Sequence, residues 1–214
     1  MGIGLVVGGS LGLASGYFGG WIDALGMRLV DVLLAFPSVL LAVIVVAVLG
    51  PSLTNAMIAV GVVGVPQYAR LLRSQVLTVR ALPFVEADRA LGATPARTLL
   101  RTVLPQCSAP VVVQASLGLA TAILDAAGLS FLGLGAQPPQ PEWGAMLGLG
   151  RDYVVLAPWI LAGPGAAILL TVLGFNLVGD GLRDALDPRL VEGPTPTRPR
   201  GAGTALTHVR KRRR

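Results

Sequence analysis

Apolar runs long enough to cross a bilayer constrain this chain more than any other feature. They cover residues 2–18, 29–49, 53–69, 106–129 and 156–179, and about 17 to 25 such residues are what a hydrocarbon core of about 30 Å requires of a helix. With 53% hydrophobic and 13% charged residues over 214 positions, one soluble core cannot bury so much apolar surface, which excludes an ordinary soluble enzyme. The expected fold class is all-α, a polytopic transmembrane helix bundle. The third run carries Asn55, Pro66 and Gln67, so it is expected to pack among other helices, where freed backbone groups find partners. The first run has no basic flank and is interrupted by glycines, which argues against a cleaved signal peptide.

The net charge of +6 is a statement about topology. Arg70, Arg73, Arg80, Arg89, Arg97 and Arg101 fall between the third and fourth runs, against Glu86 and Asp88 alone. Short cytoplasmic loops are enriched in Lys and Arg, so that loop is read as inside and the C-terminus with it. The tail at 191–214 ends in Arg210, Lys211, Arg212, Arg213 and Arg214 and reads as a disordered basic cytoplasmic segment that meets anionic membrane lipid, with no nucleic acid as partner. Counting back places the N-terminus outside, the parity of a chain that lacks its first span. The single Cys107 and the single His208 exclude an internal disulfide and a metal site of Cys/His type, and no cofactor is implied.

Three features inside the runs point to packing or transport. Gly4, Gly8, Gly12, Gly16 and Gly20 recur every fourth residue, a ridge on which another backbone can approach closely. Asp125 is an ionisable residue within an apolar run, either part of a translocation path or a carboxylate that pairs locally near its helix end. Asp31, one turn from Arg28, reads as a structural pair. Between the fourth and fifth runs, Pro138, Pro139 and Trp143 form a rigid outer segment suited to contact a binding protein or to plug the surface. Trp143 and Trp159 also suit interfacial anchoring.

The segment from Arg70 to Pro105, with its core at 80–105, carries the sharpest signal. Phe84, Val85, Ala87, Ala90 and Leu91 predict a short amphipathic helix that Gly92 stops, and Thr94 with Pro95 starts a second. Glu86-Ala87-Asp88, then Gly92, then Leu104-Pro105 resemble the E-A-A-x3-G-x9-I-x-L-P loop of ABC importer permeases. Asp88 replaces the second alanine and Thr102 the isoleucine. The strings at 16–42, 129–147 and 175–189 resemble the second-permease branch of the dipeptide, oligopeptide and nickel uptake systems, a family with one span ahead of the first run seen here.

That resemblance implies a type I ABC importer permease of the plasma (inner) membrane. Its partners would be a homologous second permease, two ATP-binding subunits and an extracytoplasmic solute-binding protein. Glu86, Ala87, Asp88, Gly92, Leu104 and Pro105 would form the coupling site on the ATPase. No P-loop is present, since the one lysine is Lys211, so no catalytic residue is expected and the chain is expected not to be an enzyme. Peptides are the expected substrate, with nickel or another small solute as the alternative. An ion-coupled carrier using Asp125 and a non-transporting scaffold remain the readings from other classes.

Overall fold

The computed structural model describes residues 1–186, all of its regular structure helical; the expected basic tail lies outside the described residues. Helix α1 (Gly4–Phe18) opens in wide π-type turns over Gly4–Gly8. It runs parallel to α4 (Leu53–Arg80): Gly4 faces Gly61 and Gly64, Gly8 faces Val65 and Tyr68, Gly12 faces Ala69, and Gly16 faces Arg73 and Val76. A Cβ on Gly8 or Gly12 would collide with the carbonyl oxygens of Val65 and Ala69, so the two backbones touch along the glycine stripe. Gly20 is not part of that ridge. The chain leaves α1 through Gly19 and Gly20, both at positive φ, and nothing packs on Gly20.

The expected span at 29–49 is divided. Helix α2 (Gly20–Leu34) and helix α3 (Ser38–Leu49) meet at 92°. Pro37 cannot continue a helix and restricts Phe36 before it. Residues 29–34 therefore lie in α2, and α3 alone rises only about 18 Å. Helix α2 is held against the C-terminal half of α4, because Asp31 pairs with Arg70 and Asp23 with Arg73. The expected Asp31 to Arg28 pair is replaced by this longer-range one.

Asn55, which interrupts the third apolar run, closes the α3–α4 turn. Its backbone N–H donates to Ser52 Oγ at 3.1 Å, and its side chain donates to the carbonyls of Leu49 and Gly50, each at 2.9 Å. Helix α4 continues past Ala69 to Arg80, through residues read as loop from their charge. Leu72, Val76 and Val79 extend its apolar face into a cluster with Tyr17, Val85, Val103 and Cys107, and the arginines of that stretch find partners on α1 and α2.

Helix α5 (Pro83–Ala90) and a helical segment α6 (residues 95–106) lead to α7 (Ser108–Phe131). Short α8 (Trp143–Gly150) and long α9 (Trp159–Leu186) complete the described bundle. Among the described residues, α7 and α9 are each long and apolar enough to cross a membrane, and α2 with α3 counts as a third if the bent pair is one span. Helix α9 leaves Leu169, Leu170, Leu173 and Leu177 exposed, a surface suited to lipid. A second core joins Ala42 and Val46 of α3, Ala56 and Val60 of α4 and Leu129 of α7.

The segment after α7 folds back on that helix. Gly144 packs on Ala127 and Gly148 on Phe131, so α8 runs alongside the last turn of α7 in the same direction. Residues 132–142 must return past that turn to allow it. Arg28, Arg70, Arg73, Arg80, Arg89, Arg97, Arg101 and Arg183 gather at one end of the bundle, and Arg151 lies at the other, beyond α8.

Candidate coupling site

The basic end is built by α5 and its neighbours. Pro83 occupies the first turn of α5, where its missing N–H costs no hydrogen bond, and Glu86 in that turn complements the helix dipole. At the other end Gly92 N–H donates to Arg89 O at 2.9 Å and Ala93 N–H to Asp88 O at 3.2 Å, the paired bonds of a Schellman motif. Gly92 has φ of +83°, the left-handed conformation that this motif requires and that a side chain disfavours. Thr94 then caps α6, its Oγ1 accepting from Arg97 N at 3.4 Å.

Three contacts seat α5. Val85 is wholly buried in the cluster with Tyr17, Val79 and Val103. The Arg89 guanidinium lies 5.4 Å from the Tyr17 ring centroid, a cation–π contact with α1. Thr102 Oγ1 donates to Asp88 Oδ2 at 3.0 Å, joining α5 to α6. Glu86 and Ala87 remain exposed, beside Phe84 and the 88% exposed Leu91. The outer face of α5 is therefore apolar with one carboxylate, at an end otherwise rich in arginine.

Leu104 and Pro105 sit apart from that face. Both line a groove of about 420 Å³ between α1 and the α6–α7 connection. Pro105 lies inside the helical segment; the break falls at Cys107, and the turns over Thr98–Val103 widen to π type. A proline removes the hydrogen bond to the carbonyl one turn back, and wider turns accommodate the loss.

The arginines of α4 fasten α5's support. Arg73 binds both oxygens of Asp23, at 2.5 and 2.7 Å, and Arg70 reaches Asp31 at 2.7 Å. Arg80 donates to the carbonyls of Gly16 and Tyr17 at 2.7 and 3.0 Å, capping the C-terminus of α1. The Arg73 guanidinium holds the Asp23 carboxyl below the usual aspartate range. By charge alone these arginines read as loop residues, and the sequence gives Asp23 and Tyr17 no role. Their signal is spacing: Arg73 and Arg80 lie seven apart and Arg70 three before Arg73, which places them along one stripe of a helix.

The remaining sites lie elsewhere. Asp125 on α7 borders a narrow crevice with Ser38, Ala42, Val60 and Val63, half-buried and with no side-chain hydrogen bond or ion pair among the described residues. Pro138 and Pro139 line a cavity of about 570 Å³ with Glu142, Met146 and Arg151, where α7, the returning segment and α8 meet. Glu142 caps α8, its Oε2 accepting from Ala145 N at 2.7 Å. Trp143 is partly exposed at the start of that helix. Gly4, Gly8, Gly12 and Gly16 form the α1–α4 contact.

Residues 8–192 match the family described as binding-protein-dependent transport system inner membrane component. A dipeptide transport system permease protein, DppC of Alkalihalophilus pseudofirmus, is 54% identical over 87% of this chain and 61% of its own length. The di/tripeptide permease DppC of Pseudomonas aeruginosa is 53% identical over 88% of this chain and 62% of its own. The glutathione permease GsiD of Pectobacterium atrosepticum is 49% identical over the same shares. The chain thus spans about three-fifths of the length of these relatives. Among solved structures, an inward-facing MetNI methionine ABC transporter superposes with TM-score 0.67 at 22% identity, over 86% of this chain and 88% of that one, a likeness of fold.

Proposed function

The chain belongs to the binding-protein-dependent transport system inner membrane component family, and from that premise we propose that it is a permease subunit of an ATP-driven importer of di- and oligopeptides. The observation that carries this reading is α5: a short helix at the basic end, seated on α1, α4 and α6 yet turning Phe84, Glu86, Ala87 and Leu91 outward. An exposed apolar face of this kind needs a protein partner, because at the basic end it lies beyond the spans that lipid covers. Peptides are favoured over nickel by relatives named for dipeptides, di/tripeptides and glutathione.

The basic end faces the cytoplasm by the positive-inside rule, and α9 ends there, so the C-terminus is cytoplasmic. Two ATP-binding subunits dock at this end, one on α5 and one on the corresponding helix of a homologous second permease. ATP hydrolysis belongs to those subunits. Their closure displaces α5, and the packed helices α1, α4 and α7 pass that displacement to the translocation path as a switch between two discrete arrangements. Glu86 meets the ATPase, Gly92 preserves the turn that orients α5, and Leu104 and Pro105 set the entry of α7.

At the other end, Pro138, Pro139 and Trp143 contact an extracytoplasmic solute-binding protein. Asp125, a carboxylate at a helix crevice with no ion pair among the described residues, borders the translocation path. The test is peptide-stimulated ATP hydrolysis by the complex purified with its ATP-binding subunits, second permease and binding protein. Stimulation by a dipeptide supports the reading; a complex that never forms, or hydrolysis indifferent to peptide and binding protein, overturns it.

A further inference from the structure

Asp88 and Thr102 are the two positions at which this chain departs from the loop motif it resembles, and they are the two ends of one hydrogen bond. Helix α5 ends at Ala90 and α6 begins at Pro95, with left-handed Gly92 between them. Such a link leaves two short helices free to hinge unless side chains join them. The apolar cluster that holds Val85 and Val103 has no directional preference. The Thr102 to Asp88 bond, 3.0 Å long and partly buried, is directional and has an ionised acceptor. It spans the glycine turn from the last turn of α5 to a point two residues before Leu104.

On the importer reading, we propose that Asp88 and Thr102 are a positioning pair that locks α5 to α6, so that displacement of α5 by an ATP-binding subunit is delivered to α7 rather than absorbed at Gly92. Arg89 on Tyr17 performs the equivalent fastening toward α1. Helix α5 therefore drives two apolar helices at once, one through each of two adjacent residues.

The experiment measures peptide taken up per ATP hydrolysed by the full complex in liposomes. Thr102→Val removes the hydroxyl while keeping the shape, and it lowers the ratio about threefold to tenfold, the range expected for one partly exposed charge-assisted bond. Thr102→Ser retains the wild-type ratio. The double variant Asp88→Ala with Thr102→Val is no worse than the more impaired single variant, because the shared interaction is lost only once. A wild-type ratio in Thr102→Val, or additive losses, overturns the proposal. Hydrogen exchange of residues 95–106 in the purified chain separates this from the importer reading. Faster exchange in Thr102→Val but not in Thr102→Ser supports the lock whatever energises transport, and unchanged exchange overturns it even if the complex is an importer. A wild-type complex that takes up peptide without ATP overturns the importer reading and the coupling role together.

Discussion

Arg73 on α4 holds both carboxylate oxygens of Asp23 on α2, across 50 residues of sequence, at 2.5 and 2.7 Å. With the Arg70 to Asp31 pair, this contact fixes α2 against the C-terminal half of α4, upstream of its right-angle turn into α3 at Pro37. Asp23→Ala is expected to lower the thermal stability of the purified chain by about 1 kcal/mol, a modest figure because both side chains keep some solvent contact. Exchange of the pair, Asp23→Arg with Arg73→Asp, recovers most of the loss.

The same pair sets a pH dependence. The folded-state pKa of Asp23 is lowered, first by its hydrogen bonds with Arg73. A carboxyl of this kind contributes stability that is fully present above the ordinary aspartate value of 3.8 and is lost as pH falls below it, through the lowered folded-state value. The stability difference between wild type and Asp23→Asn, measured by thermal denaturation in detergent, is therefore constant near neutral pH and vanishes in acid.

The α1–α4 contact tolerates no side chain at its centre. Gly12→Leu is expected to cost about 1 to 3 kcal/mol, as overpacking does, because even the Cβ meets the Ala69 backbone. Gly163→Ala on α9, where nothing lies within 4 Å of the added atom, leaves the denaturation midpoint unchanged or slightly raised.

Leu91 separates partner binding from folding. Its side chain is 88% exposed, so Leu91→Asp leaves the denaturation midpoint in place while reducing recovery of the ATP-binding subunit on affinity-purified permease. Loss of stability without loss of recovery would assign Leu91 to the fold instead.

The sequence made the helical class visible through the lengths of its apolar runs, and α5 visible through Phe84, Val85, Gly92 and the Thr94-Pro95 cap. It misplaced elements where charge and hydropathy speak against the tertiary answer. Arg70, Arg73 and Arg80 look like loop residues until their partners on α1 and α2 are known, and those partners are separated by 39 to 64 residues. The division at Pro37 was hidden because residues 29–49 are apolar throughout apart from Asp31 and Ser38. Local pattern cannot show that one end of such a run is held by a distant arginine. In the loop, Asp88 and Thr102 looked like independent departures from a motif, and only the fold joins them.

Uptake of labelled dipeptide into liposomes decides whether the chain is an importer permease, using it with its second permease, ATP-binding subunits and binding protein. Gly92→Arg serves as the uncoupled control, since an L side chain in a left-handed position costs about 1 to 2 kcal/mol and distorts the turn that orients α5. Uptake that requires ATP, is blocked by vanadate and is lost in Gly92→Arg is the predicted result. Uptake driven by an ion gradient without ATP excludes an ATP-driven importer, and ATP-driven uptake that Gly92→Arg leaves at the wild-type rate excludes coupling through α5.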